Sequence, residues 1–163
     1  MSILIDSLLR AVLTITSPAF GAGGDIPPKY SCDGEGISPA LHIAELPTNT
    51  KSLVLIVHDP DAPKEGGVTH WIAWNLPPLP EIPEGFKPPG EKDGVEGNNS
   101  RGNKGYMGPC PPDGAHHYHF KIYALDAVLV VDPHIDKKGL EATLEGHILA
   151  QGELIGLYQK AKK

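Results

Sequence analysis

The hydrophobic pattern of the chain is that of β-strands. Two nearly continuous apolar runs, Ser52–His58 and His70–Asn75, are bounded by polar residues, which predicts strands buried on both faces. His116–Leu125 predicts a third strong strand. Val12–Ser17 alternates between two faces and Leu41–Ala44 is short and apolar, so both predict weaker strands.

One segment has a helical period. Lys138–Leu149 carries an apolar stripe, with Asp136 placed to cap its start. The stripe consists of Leu140, Leu144 and Ile148. The segment that follows, Glu153–Tyr158, is ambiguous between a continued helix and a strand. We therefore expect one helix near the C-terminus.

Composition supports a mainly β (α+β) class. The chain of 163 residues contains 19 Gly and 17 Pro, more helix breakers than a bundle of long helices tolerates. Its length fits one domain, which we place at residues 12–163 after an extension at 1–11, with a helical turn as one option. Residues 76–115 are rich in Pro and Gly, and a loop of that length is usually functional or hides short elements.

Charge excludes one class of partner. The net charge is −6 and no Lys/Arg block occurs, whereas nucleic-acid binders are usually basic. Asp6 and Arg10 interrupt the apolar N-terminal run, which makes it a poor signal peptide and too short a membrane span. We expect a cytoplasmic protein that binds no nucleic acid.

The two cysteines, Cys32 and Cys110, are too few for a disulfide scaffold. A single bridge between them is one option. For an intracellular chain we expect two reduced, partly buried thiols instead.

Polar residues cluster at the ends of the strongest strands. Asp59 ends the first buried strand, while Asp61 reads as an ordinary turn residue. By the two-residue period His70 shares a face with Ile72 and Trp74. A lone histidine on such a face is usually a core residue, unless a partner joins it.

The third cluster is a Gly/Pro turn followed by a histidine-rich strand. Gly108–Pro112 offers backbone N–H groups of the kind that bind anions. In the strand that follows, His116, Tyr118 and Phe120 share one face, and His117 and His119 share the other. The pattern alone leaves open which face serves a site.

Taken together, these segments resemble the phosphatidylethanolamine-binding family, in its bacterial and archaeal branch of Raf-kinase-inhibitor-like proteins. The resemblance runs from about Leu13 to Tyr158. It is carried, in this order, by SPAF at 17–20, YSCDG at 30–34, SP at 38–39, DPDAP at 59–63, HW at 70–71, GPCPP at 108–112 and HHY at 116–118.

The resemblance implies an antiparallel β-sandwich with a C-terminal helix. It also implies a small pocket for phosphate, phosphoethanolamine or a carboxylate, without a metal or other cofactor and without catalytic residues. Carried over to this sequence, the pocket is lined by Asp59, His70, Gly108, Cys110, Pro111, His116 and Tyr118. Two imidazole rings, the backbone N–H groups of the turn and the tyrosine hydroxyl can all donate hydrogen bonds to an anion.

Three functions follow as hypotheses. We favour a non-enzymatic module that binds an anion and regulates or inhibits a kinase or a serine protease, the targets that the family implies. The alternative is a metal-dependent enzyme using two histidines and an aspartate, or the His117 and His119 pair. A protease inhibitor acting through an exposed loop is the third. A homodimer is compatible with each.

Overall fold

The computed structural model describes residues 11–90 and 93–161, and within them the fold is mainly β. One α-helix and nine strands occur in the described part of the chain, along with a short 3₁₀ helix at Pro28–Tyr30. The elements are β1 (Ala11–Val12), β2 (Thr14–Thr16), β3 (Leu41–Ala44), β4 (Ser52–Asp59), β5 (Val68–Leu76), β6 (Glu81–Ile82), β7 (Val95–Glu96), β8 (Ala115–Leu125), α1 (Lys137–Leu144) and β9 (Ile148–Gln159). The mainly β class is confirmed.

The strands form two sheets. The larger has the order β1-β9-β8-β4-β5-β7 and the smaller the order β2-β3-β6. β1 runs parallel to β9, while the other pairs are antiparallel. β8 and β9 pair from Ala115 opposite Gln159 to Leu125 opposite Ile148. This long antiparallel pair is the main ladder of the larger sheet.

The main core lies between the two sheets. Leu55, Val57 and Phe120 of the larger sheet share one buried cluster with Ile15 and Ile43 of the smaller sheet. Burying each such side chain contributes about 1.5–3 kcal/mol. The antiparallel sandwich is thereby confirmed, with β1–β9 as a parallel pairing at its edge.

A second core explains why β4 and β5 are apolar on both faces. Val54, Ile56 and Ile72 turn away from the smaller sheet and cluster with Leu140 and Leu144 of α1. The helix thus covers the outer face of the central strands. The residues that contact β4 and β5 include Leu140 and Leu144 of the predicted apolar stripe.

The predicted helix is too long at its C-terminal end. Asp136 caps α1 as expected, its side chain accepting a hydrogen bond from the backbone N–H of Gly139 at 2.8 Å. The helix nevertheless ends at Leu144. Gly146 then adopts a positive φ of 83°, and Ile148 begins β9 instead of continuing the helix. The ambiguous segment 153–158 belongs to this strand, because pairing with β8 satisfies its backbone along the whole length.

The predicted strand at 12–17 is divided between the sheets. Ala11 and Val12 pair with β9, whereas Thr14–Thr16 pairs with β3. Leu13, which is 2% exposed, lies between them in the main core. Residues 1–10, where the extension and its helical turn were predicted, lie outside the described residues. No helix in the described part of the chain is long and apolar enough to span a bilayer.

Candidate functional site

A cavity of about 300 Å³ opens where β4, β5 and β8 meet the turn after residue 106. The structure brings every one of the sequence-predicted pocket residues to its wall. Those residues are Asp59, His70, Gly108, Cys110, Pro111, His116 and Tyr118. Segments that are far apart in sequence therefore converge on one place.

β8 delivers its side chains by simple alternation. His116, Tyr118 and Phe120 are buried on the inner face, while His117 is exposed on the outer face. The strand keeps an unbroken register with β9 from Ala115 to Ala124, so the alternation holds over this length. The sequence pattern did not decide which face of β8 lines the cavity. In the structure it is the face of His116 and Tyr118, as the family resemblance implied.

Asp59 and His116 form a buried ion pair. Oδ2 of Asp59 lies 2.6 Å from Nδ1 of His116, and the two side chains are 4% and 10% exposed. The other carboxylate oxygen accepts the backbone N–H of Asp61 at 2.8 Å. Because Asp59 accepts the Nδ1–H of the ring, it fixes the ring orientation and leaves Nε2 for a ligand.

His70 reaches the cavity through a β-bulge. In the pairing of β4 with β5, Val57 is opposite Trp71 and His58 is opposite Thr69, so His70 is an extra residue without a partner. A bulge re-aims the side chain of the extra residue.

The sequence prediction for the His70 face was therefore wrong. The strand period placed His70 with Ile72 and Trp74, which face α1. Instead its ring contacts Tyr118 edge-to-face, with centroids 5.1 Å apart, and it lines the cavity.

Met107, the residue before the Gly108–Pro112 turn, holds His70 by two hydrogen bonds. The backbone N–H of Met107 donates to the carbonyl of His70 at 2.8 Å, and Nδ1 of His70 lies 2.7 Å from the carbonyl oxygen of Met107. Burial lowers the pKa of His70 below its ordinary value, and the charges of Arg101 and His116 act in the same direction. The Met107 carbonyl and Asp59 oppose this shift.

The ring of Tyr118 contacts the rings of both His70 and His116. Its side chain is almost fully buried. Burial raises the pKa of its hydroxyl well above the ordinary value, and the negative charge of Asp59 adds to the effect. The hydroxyl therefore stays protonated at neutral pH and can donate a hydrogen bond.

A disulfide fixes the turn, contrary to the expectation of reduced thiols. Cys32 and Cys110 are bonded, with Cα atoms 5.5 Å apart and a separation of 78 positions in sequence. The backbone N–H of Cys32 also donates to the carbonyl of Pro109 at 3.1 Å. Because the fold brings together segments so distant in sequence, spacing could not reveal this pairing.

Gly108 is required by close packing at the same junction. A Cβ atom there would lie 2.8 Å from the carbonyl oxygen of Tyr30 and 3.0 Å from Cα of Ser31. Within Gly108–Pro112 three residues are proline, so only Gly108 and Cys110 have a backbone N–H to offer. The turn supplies fewer anion donors than the sequence pattern suggested.

Two cations at the cavity were not predicted from the sequence. Lys64, on the β4–β5 loop, and Arg101 both line it and are exposed. Arg101 belongs to the polar segment 94–105. Hydrogen bonds to β5 hold this segment: Ser100 N–H donates to the Thr69 carbonyl at 2.9 Å, and Thr69 N–H donates to the Ser100 hydroxyl at 2.7 Å.

The geometry does not favour a metal centre. No group of three or more His, Cys, Asp or Glu side chains in residues 11–90 and 93–161 is arranged to hold a metal ion. The outer pair is split between two surface ion pairs, since His117 contacts Asp61 at 2.6 Å and His119 contacts Glu153 at 3.1 Å.

Comparison with known proteins agrees with this fold and site. A family model described as phosphatidylethanolamine-binding protein matches residues 16–159. The chain belongs to the phosphatidylethanolamine-binding protein family. The match includes every residue of the cavity wall named above, and it confirms the resemblance on which those residues were chosen.

Relatives of this family occur in archaea and bacteria. A UPF0098 protein of Pyrococcus horikoshii is 53% identical over 150 residues, which is 88% of this chain and 75% of that protein. A crystal structure of a phosphatidylethanolamine-binding protein homologue from Chlamydia trachomatis has a TM-score of 0.83 at 44% identity, covering 92% of this chain and 99% of that one. YbcL of E. coli, a member of the family, also has a TM-score of 0.83, at 30% identity and covering 93% and 100% of the two chains.

Proposed function

We propose that the chain binds small oxyanions, such as phosphate or a phosphorylated head group, in this cavity and acts as a binding module. The observation that carries the proposal is the convergence of His70 and His116 on one cavity lined by two cationic side chains. Guanidinium, ammonium and imidazole groups all form hydrogen bonds with a phosphate group, as donors to its oxygens or, for the bare nitrogen of a neutral imidazole, as an acceptor from a P–OH. Membership of the phosphatidylethanolamine-binding family supports the same ligand class.

The size of the cavity supports a small ligand. A volume of about 300 Å³ lies at the lower end of the range of ligand pockets in proteins. Such a space accommodates a phosphate with a short substituent. Val68 and Pro63 contribute apolar wall near the entrance, where the carbon atoms of that substituent would lie.

We propose binding without catalysis, because the cavity offers a poor nucleophile. Cys110 lines the cavity together with His116, but its sulfur is bonded to Cys32. A disulfide sulfur has no thiolate with which to attack a substrate. The ion pair of Asp59 with His116 orients a ring, which serves binding as well as it would serve proton transfer.

An NMR titration tests the proposal. Phosphate and phosphoethanolamine are added to wild type, His70→Ala, His116→Ala and the matched control His117→Ala, and the histidine side-chain resonances are followed. We expect saturable shifts at millimolar ligand in wild type and in the control, and loss of saturation in the two cavity variants. Equal affinity in all four proteins would overturn the proposal.

Action on a kinase or a serine protease stays a prediction from the family. A panel of serine proteases and a kinase assay, each run with saturating phosphate and without it, measures this directly. We expect inhibition of at least one enzyme that changes when the cavity is filled. Absence of inhibition at high molar excess would leave a binding module with another kind of target.

A further inference from the structure

The hydrogen bond between His70 and Met107 determines what the free nitrogen of His70 can do. Nδ1 lies 2.7 Å from the carbonyl oxygen of Met107, and a carbonyl oxygen only accepts hydrogen bonds. Nδ1 therefore carries the hydrogen. In the neutral ring the other nitrogen, Nε2, then has a lone pair and accepts a hydrogen bond.

The surroundings of His70 favour the neutral ring. His70 is 5% exposed, and burial lowers its pKa below the ordinary value. The charged and titratable groups around it are Asp59 on β4, His116 and Tyr118 on β8, Lys64 on the β4–β5 loop and Arg101 on the loop beside β5. Of these, Arg101 and His116 oppose a positive charge on the ring, while Asp59 favours it.

An acceptor in an anion site discriminates between oxyanions by their protons. An anion oxygen without a proton is repelled by the lone pair of Nε2, whereas a P–OH group donates a hydrogen bond to that lone pair. Inorganic phosphate retains an exchangeable proton throughout the neutral range, because both H2PO4⁻ and HPO4²⁻ carry one. A phosphate monoester, whose second pKa is about 6, retains this proton only in its monoanionic form, which predominates below about pH 6. A phosphodiester or sulfate has none.

Building on the proposed function, we propose that His70 makes the cavity selective for phosphate groups that bring their own proton. The ligand class is then inorganic phosphate and the monoanionic form of phosphate monoesters, with phosphodiesters disfavoured, including the head group of an intact phospholipid. His116 differs, because its Nδ1 is paired with the carboxylate of Asp59. The selectivity therefore belongs to the His70 side of the cavity.

The test compares ligands that differ in this proton. Dissociation constants are measured by calorimetry at about pH 6, where about half of a phosphate monoester carries the proton, and at fixed ionic strength for phosphate against sulfate, methyl phosphate against dimethyl phosphate, and phosphoethanolamine against glycerophosphoethanolamine. In wild type we expect phosphate to bind about tenfold more tightly than sulfate, the effect of one good hydrogen bond. Each monoester should bind about fivefold more tightly than its diester, because only half of it is in the protonated form. The last comparison separates a free head group from a lipid head group.

Sulfate also gives a second readout in wild type. Its binding requires His70 to take up a proton, so calorimetry in buffers of different ionisation enthalpy should show proton uptake for sulfate and much less for phosphate. This measurement needs no variant and remains decisive if the variants fold poorly.

The matched variants are His70→Gln and His117→Gln. A glutamine amide turns to donate or to accept, so His70→Gln should bind phosphate and sulfate within about threefold of each other. His117→Gln, on the outer face, should keep the wild-type preference. Equal binding of phosphate and sulfate by wild type, or full selectivity in His70→Gln, would overturn this inference alone. Failure of wild type to bind any of the anions would overturn the proposed function itself.

Discussion

His70 and His116 line the same cavity from the two strands that flank β4, but the chain holds them in different ways. His116 lies on a regular strand and is paired with a buried carboxylate, at 2.6 Å. His70 lies on a bulge and is paired with a neutral carbonyl, at 2.7 Å. The ring of His116 is therefore hydrogen-bonded to a carboxylate and the ring of His70 to a neutral carbonyl. Two identical side chains thus have different roles in the cavity.

The largest expected effect comes from removing the counter-charge of His116. Asp59→Ala leaves Nδ1 of His116 and the backbone N–H of Asp61 without their acceptor. We expect the free energy of unfolding to fall by about 2–4 kcal/mol and phosphate affinity to fall more than about tenfold. Urea denaturation and calorimetric titration measure the two quantities.

Asp61→Ala is the matched control for that variant. Asp61 is a neighbouring carboxylate that pairs with His117 at the surface, and exposed pairs contribute at most about 1 kcal/mol. We expect little change in phosphate affinity. If the two variants lost equal affinity, the distinction between the inner and the outer histidine partners would be wrong.

A smaller effect is expected on the His70 side, from opening the disulfide. The double substitution Cys32→Ser and Cys110→Ser releases the Gly108–Pro112 turn. Met107, directly before this turn, accepts the hydrogen bond of His70. We expect a loss of about 2–4 kcal/mol in stability, with phosphate affinity reduced about threefold. The preference for phosphate over sulfate should weaken at the same time.

Reduction of the wild-type protein serves as an independent check. Wild type titrated after treatment with a thiol reductant should behave like the double variant. Unchanged affinity and unchanged selectivity in both samples would show that the turn holds His70 without the disulfide.

The smallest expected effect is the pH dependence of stability. Burial lowers the pKa of His70 and of His58 in the folded chain, so the unfolded chain binds protons first as the pH falls. Stability should be complete above the ordinary histidine pKa of about 6.5 and should decline as the pH falls below it. His70→Gln should make the decline shallower, measured by urea denaturation between about pH 7.5 and 5.5. Identical slopes in the two proteins would contradict the assignment of His70 as a neutral ring.

The difference between the two histidines also explains what could be predicted. The face of His116 follows the two-residue period, because β8 is paired with β9 without a register shift from Ala115 to Ala124. The face of His70 did not follow it, because an extra residue leaves no mark in the hydrophobic pattern. The apolar runs of β4 and β5 likewise predicted burial on both faces, which their positions in the sandwich confirm.

Other features depend on contacts between distant parts of the chain. The bond between Cys32 and Cys110 and the approach of Arg101 to the cavity join segments that the sequence separates. The end of α1 was also misplaced, because Ile148 fits a helical stripe as well as it fits a strand. Pairing with Leu125 of β8 decides in favour of the strand.

The bulge at His70 makes the length of β5 a part of the site. Between Val57 and His58 the facing strand advances by one residue while β5 advances by two, and the surplus residue is the histidine. Shortening this strand by one residue would restore an ordinary ladder and remove the reason for His70 to face the cavity, although every remaining side chain would be unchanged. Comparisons of related chains should therefore align β5 residue by residue on both sides of His70, since an insertion or a deletion within this strand changes the site even where the neighbouring motifs are kept.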